Sequence, residues 1–195
     1  MCKTMKMKNI AIFASGSGTN AQKLMEYFST SKTAKVKLLL SNKPDAFVLE
    51  RARNFSIPSL IFDRDDFYRS DKILRVLYEN DIHFIVLAGF LWLVPAGITG
   101  PYRNRIVNIH PALLPAYGGP GMYGKRVHRA VIENREKESG ISIHYVNEKY
   151  DEGDIIFQAR CEVKKDDSPE SLAERIHELE HRYYPEVVEK LVTEI

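Results

Sequence analysis

The sequence predicts a single α/β domain spanning residues 1–195. Its core is a Rossmann-like, mostly parallel sheet flanked by helices, followed by an antiparallel C-terminal hairpin and a long C-terminal helix. Three observations predict it. Apolar strand-like runs alternate with helix-like segments through the first half, the pattern of βα units joined by right-handed crossovers. Two β-rich runs with only a short link between them then read as a hairpin. A long stretch with helical spacing of apolar residues ends the chain.

Taken in order, Asn9 to Ala14 is an apolar strand, Asn20 to Phe28 a helix, and Val36 to Leu40 a second strand. Asp45 to Phe55 reads as a helix, Ser59 to Phe62 as a strand, and Asp66 to Glu79 as one further helix. His83 to Ala88 is almost continuously apolar, as expected of a strand covered on both faces. Arg105-Ile106-Val107 leads another strand, which Pro111 stops, so His110 stands at its end. Ile141 to Asn147 and Ile155 to Val163 pair through the Glu148 to Asp154 link. Ser168 then caps the final helix, with Pro169 in its first position and a buried stripe at Leu172, Ile176, Leu179, Tyr183, Val187 and Leu191.

Composition narrows the function classes. A chain of 195 residues with 44% hydrophobic and 28% charged content builds its own core. A net charge of +2 does not point to nucleic acid or to a membrane surface. Cys2 and Cys161 lack neighbouring cysteines and read as reduced thiols. Met1 to Lys8 is basic but no apolar signal core follows it, and no run is long enough to span a bilayer, so a cytoplasmic protein is expected.

Four segments carry chemistry. Ser15-Gly16-Ser17-Gly18-Thr19-Asn20 lies between a strand and a helix, where glycines let the backbone approach an anion and the helix N-terminus offers free N–H groups. Gly16-x-Gly18-x-x-Ala21 also meets the loose dinucleotide fingerprint. The second strand ends in Ser41-Asn42-Lys43 with no acid before Asp45, which disfavours NAD and leaves NADP or a phosphate monoester. Leu87 to Val94 stays apolar past Gly89, which suits either a pocket wall for a flat apolar ligand or ordinary core. Asn108-Ile109-His110-Pro111 and Asp151-Glu152-Gly153 place an amide, an imidazole and a carboxylate at strand ends and turns. Such a set can stabilise an oxyanion and move protons at an acyl centre, although alone it favours a strand-capping Asn and a satisfied His. His177-Glu178-Leu179-Glu180-His181 matches H-E-x-x-H, but with no clear third ligand a polar patch is the better reading than a zinc site.

Together and in this order, the glycine loop, Ser41-Asn42-Lys43 with Asp45-Ala46-Phe47, Leu87-Ala88-Gly89-Phe90, Asn108-x-His110-Pro111-x-Leu113-Leu114-Pro115 and Asp151-x-Gly153 resemble the phosphoribosylglycinamide formyltransferases, from about Lys8 to Leu191. The resemblance implies transfer of a formyl group from 10-formyltetrahydrofolate, a co-substrate, to the amine of 5'-phosphoribosylglycinamide in purine biosynthesis, without a metal. It implies that Asn108 donates to a tetrahedral oxyanion, that His110 stabilises it and shuttles protons, and that Asp151 orients the His or relays a proton. It further implies that Ser17, Gly18, Thr19 and Asn20 hold the acceptor's phosphate end, with His177 and Glu180 at its ribose and glycinamide side. The folate would lie along Leu91, Trp92, Leu93 and Val94, faced by Asn147, Glu148, Lys149, Tyr150 and Asp151, with Arg64 near its tail.

Other formyl-folate enzymes share the Asn-x-His and Asp, which keeps a formyltetrahydrofolate deformylase or a sugar-nucleotide formyltransferase as alternatives, and an NADP-dependent reductase behind them. Chain length favours the single-domain glycinamide enzymes, acting as monomer or homodimer on small molecules. Two departures stand out. Trp92 occupies a position where relatives often carry Arg, and Tyr117 to Gly124 is a longer, glycine-rich loop suited to be a lid.

Overall fold

A computed structural model describes residues 7–195; Cys2 and most of the basic N-terminal stretch lie outside these residues. The core is one seven-stranded sheet in the order β3-β2-β1-β4-β5-β6-β7. Strands β1 (Lys8–Ala14), β2 (Ala34–Ser41), β3 (Ser59–Ile61), β4 (Phe84–Leu87) and β5 (Ile106–His110) run parallel. Strands β6 (Glu138–Tyr145) and β7 (Ile155–Glu162) add to β5 in antiparallel fashion, which gives the expected hairpin. β1 and β4 lie inside the sheet and are almost wholly buried, consistent with their unbroken apolar sequences.

Each face is covered by its own core. On one side Ile10, Ile12, Val86, Val107, Ile141 and Ile143 pack beneath helices α1 (Thr19–Phe28) and α7 (Pro169–Thr193). On the other, Phe13, Phe62, Phe67 and Phe90 form an aromatic cluster with Phe13–Phe90 centroids 5.4 Å apart. Burial at this scale is the main stabilising term of the fold. The parallel strands point their C-terminal ends to one edge, where the glycine loop, the exit of β4 and the end of β5 converge.

Several boundaries differ from the sequence-based expectation, for local reasons. The helix expected from Asp66 to Glu79 is two helices, α3 (Arg64–Tyr68) and α4 (Lys72–Glu79). Asp63 and Asp66 form a capping box that starts α3 early. Ser70 Oγ then donates to Asp66 O and accepts from Lys72 N, replacing backbone bonds that would have continued the helix. Helix α2 (Val48–Asn54) begins at Val48 rather than Asp45 because Lys43 to Ala46 closes a turn first. Helices α5 (Ala96–Thr99) and α6 (Lys125–Glu133) were not expected, both being short and weakly apolar.

The final helix spans Pro169–Thr193, capped by Ser168 as expected, but its buried line is rotated. Leu172, Ile176, Glu180, Tyr184, Val188 and Leu191 face inward, while Leu179, Tyr183 and Val187 only flank the core. Tyr184 takes the central place because its hydroxyl reaches the carbonyls of Leu87 and Val107, 2.8 and 3.2 Å away between β4 and β5. That rotation carries Glu180 into the interior. No helix among the described residues is long and apolar enough to cross a membrane.

Candidate active site

A cleft of about 450 Å³ opens along the C-terminal edge of the parallel strands. One arm is formed by Ser15 to Asn20 with His177 and Glu180 of α7; the other by Leu87 to Val94 with Lys149, Tyr150 and Val146. Asn108, His110, His144 and Asp151 stand where the arms meet. Of the residues expected to bind ligands, Arg64, Asn147 and Glu148 do not line it. Arg64 stacks on Trp92 at 5.2 Å, the Asn147 side chain accepts from the Lys149 N–H, and Glu148 accepts from Thr99 Oγ1.

The glycine loop has the geometry an anion requires. Gly18 has φ +75° and caps α1 with no side-chain hydrogen bond, which leaves N–H groups of the first turn available. A Cβ at Gly18 would lie 2.3 Å from Val48 Cγ2, so both conformation and space demand glycine. The loop is held rigid: Ser15 N donates to Gly89 O, Ser15 Oγ accepts from Leu91 N, and Arg51 Nε donates to Ser17 O. The apolar β4 exit divides between core and cleft. Phe90 and Val94 are buried in the core, whereas Leu91 is exposed and Trp92 and Leu93 are half-buried along the cleft.

The polar centre is a linked set. His110 is buried at the end of β5, its Nε2 lying 2.7 Å from Tyr117 O and its Nδ1 3.5 Å from Asp151 Oδ2. A carbonyl only accepts, so Nε2 carries the ring proton and Nδ1 turns its lone pair toward the side of Asp151. Burial lowers the His110 pKa below the ordinary value, against the opposing pull of Asp151 and the Tyr117 carbonyl. The ring is therefore neutral near pH 7 and able to accept a proton at Nδ1.

His144 was assigned no role from the sequence. It sits opposite Asn108 in the β5–β6 register, with Nδ1 2.8 Å from Tyr145 O and Nε2 3.1 Å from Asn108 Nδ2. The Tyr145 carbonyl fixes the proton on Nδ1, so Nε2 accepts and the Asn108 amide is locked with its NH₂ toward the ring. The second Asn108 N–H points at Asp151 Oδ1 across 3.5 Å, a long bond that a stronger acceptor can displace.

Asp151 adopts φ +56° in the β6–β7 link and receives Gly119 N–H at 3.0 Å on Oδ2. Burial is the largest single influence and opposes ionisation. The His144 and His110 rings and the Gly119 N–H together outweigh it, and the pKa falls below the usual carboxylate value. The glycine-rich loop thus helps to hold the central carboxylate.

At the other end, Glu180 is 5% exposed and accepts from Asn20 Nδ2 at 2.9 Å. Its burial, only partly offset by Asn20, raises the pKa to about 7. The neighbouring His177 and His181 rings stack with centroids 6.0 Å apart. Among the described residues, no three His, Cys, Asp or Glu side chains are grouped to hold a metal ion. His128 on α6 also lines the cleft and was not assigned from the sequence. It sits beside Val127 and Val131 on the buried face of α6.

Comparison with known proteins places this cleft in context. The family model described as "Formyl transferase" matches residues 8–188. The "Phosphoribosylglycinamide formyltransferase, chloroplastic" of Arabidopsis thaliana is 43% identical over 189 residues, covering 94% of this chain and 65% of that protein. The chain likewise spans 63% of the corresponding protein of Vigna unguiculata. The phosphoribosylglycinamide formyltransferase of Bacillus subtilis (strain 168) is 36% identical, with 95% of each chain covered. The crystal structure of the phosphoribosylglycinamide formyltransferase from Bacillus halodurans superposes with a TM-score of 0.86 at 38% identity, covering 95% of this chain and 96% of that one.

Proposed function

The chain belongs to the phosphoribosylglycinamide formyltransferase family, and on that premise we propose that it transfers the formyl group of 10-formyltetrahydrofolate to the amine of 5'-phosphoribosylglycinamide. The observation that carries this reading is the meeting of the two arms at one polar centre. A phosphate-ready loop and an apolar wall each lead to Asn108, His110 and Asp151. An acceptor with a phosphate at one end and an amine at the other fits the first arm, and a flat pterin fits the second.

In this account Ser17, Gly18, Thr19 and Asn20 bind the phosphate through the helix N-terminus, and His177 and Glu180 hold the ribose side. Leu91, Trp92, Leu93 and Val94 carry the pterin, faced by Lys149 and Tyr150, and Arg64 against Trp92 stiffens the mouth. When the amine attacks the formyl carbon, negative charge develops on the formyl oxygen. Asn108 gives its second N–H to that oxygen in place of Asp151, while the bond to His144 keeps the amide from rotating. His110 Nδ1 takes the proton the amine must lose and returns it to the departing folate nitrogen. Asp151 faces that nitrogen and stabilises the imidazolium that forms in between. A placed acid–base contributes roughly 10²–10⁴ in rate and a placed oxyanion donor roughly 10²–10³.

Turnover of 10-formyl-5,8-dideazafolate with and without glycinamide ribonucleotide tests the proposal. Acceptor-dependent release of deformylated folate supports it. Release without acceptor indicates a deformylase, and no release from folded protein contradicts it.

A further inference from the structure

His128 is 2% exposed, yet Nδ1 has no hydrogen-bond partner and the ring makes no part of the network around Asp151. A buried polar atom without a partner is unusual enough to call for a reason. Its position supplies one. His128 lines the cleft together with His110, His177 and Glu180, and the His177 and His110 rings lie near enough to act on its charge. Burial, followed by the His177 and then the His110 ring, lowers its pKa to about 4. The ring is therefore neutral whenever the protein is near neutral pH, with one N–H and one lone pair.

Which edge carries the proton follows from the sealing of Nδ1. A trapped N–H without an acceptor costs more than a trapped lone pair, so the proton belongs on Nε2, the edge left for the cleft. A neutral donor is a poor partner for a phosphate, which calls for a cation or a helix N-terminus, and a good one for a neutral carbonyl. Between a ribose held at His177 and Glu180 and an amine held at His110, the proposed acceptor has one strong neutral hydrogen-bond acceptor: the amide oxygen of its glycinamide.

We infer that His128 is a substrate-binding residue that donates from Nε2 to the amide carbonyl oxygen of the glycinamide acceptor and thereby selects for that group. The inference rests on the acceptor assignment made above. It explains why a histidine is kept on the buried face of α6 beside Val127 and Val131, where a leucine would leave no unpaired nitrogen.

The test uses two acceptors, carbocyclic glycinamide ribonucleotide and its thioamide analogue, whose sulfur accepts hydrogen bonds poorly. The wild-type protein is expected to favour the amide over the thioamide by about tenfold in kcat/KM. His128→Leu is expected to lose about tenfold with the amide, chiefly through KM, and to lose the preference between the two acceptors. His128→Gln, which keeps a donor, restores part of both. The dissociation constant for 10-formyl-5,8-dideazafolate, unchanged in each variant, shows that the fold and the donor arm are intact. An equal loss with both acceptors, with donor binding intact, overturns the role of His128 while leaving transfer itself standing. Absence of acceptor-dependent transfer by the wild-type protein removes the acceptor assignment and this inference with it.

Discussion

Asn108 and His144 are cross-strand partners in β5 and β6, and their side chains meet with Nδ2 3.1 Å from Nε2. The pairing turns sheet register into amide orientation. The Tyr145 carbonyl sets the His144 tautomer, the tautomer makes Nε2 an acceptor, and the acceptor decides which way the Asn108 amide points. His144→Phe keeps the ring volume and removes the acceptor, leaving one Asn108 N–H unpaired. Loss of such a bond costs about 1–3 kcal/mol, so kcat is expected to fall by roughly 5- to 150-fold with little change in acceptor KM. Steady-state kinetics checks the split; a KM effect alone would contradict the orienting role.

In the proposed mechanism the acid side of the pH profile belongs to His110: activity needs its ring neutral and Asp151 ionised, and both pKa values are lowered from their ordinary positions. As pH falls, His110 gains a proton, so kcat is expected to decline with a midpoint below the ordinary histidine value of 6.5. A pH–kcat series on the wild type shows this limb; an acid limb centred above 6.5 would contradict it.

Glu180 predicts an opposite stability effect. Its folded pKa is raised to about 7 from 4.5, so the folded state holds the proton more tightly than the unfolded state. The stabilisation is fully present below about 4.5 and is lost as pH rises through about 7. Glu180→Gln removes this dependence and still accepts from Asn20. Relative to wild type it is expected to gain about 2–3 kcal/mol between pH 5 and pH 8, measured by denaturant unfolding at both values. A constant difference at both would contradict the burial of an ionisable carboxyl.

Gly153 holds the segment that carries Asp151. A Cβ there would lie 1.8 Å from Tyr145 O, the carbonyl that also fixes His144. Gly153→Ala must move the β6–β7 link, and about 1–3 kcal/mol of stability is expected to go with it, together with a loss in kcat larger than in KM. A variant with wild-type stability and kcat would show that the link tolerates the shift.

Much of this was legible in the sequence. Apolar runs such as His83 to Ala88 give away buried parallel strands, and Pro111 after His110 marks the strand end where the imidazole stands. The glycine loop, Asn108, His110 and Asp151 stood out because few residue types can do what those positions need. His144 did not, because its importance comes from a partner thirty-six residues away across an antiparallel register. His128 lay in a helix too short and too basic for its periodicity to show. The stripe on α7 was read one position off because Glu180 and Tyr184, both polar at the tip, take the inward places for reasons of hydrogen bonding that hydrophobic spacing does not carry.

Direct transfer at the Asn108–His110–Asp151 centre can be read in a single turnover. The most direct measurement is single-turnover ¹³C NMR with a [¹³C]formyl donor and stoichiometric glycinamide ribonucleotide, run on the wild type and on His110→Ala. The wild type is expected to move the label wholly into an N-formylglycinamide resonance, and His110→Ala to do so roughly 10²–10⁴ more slowly. Label appearing as free formate, or transfer undiminished in His110→Ala, would contradict it.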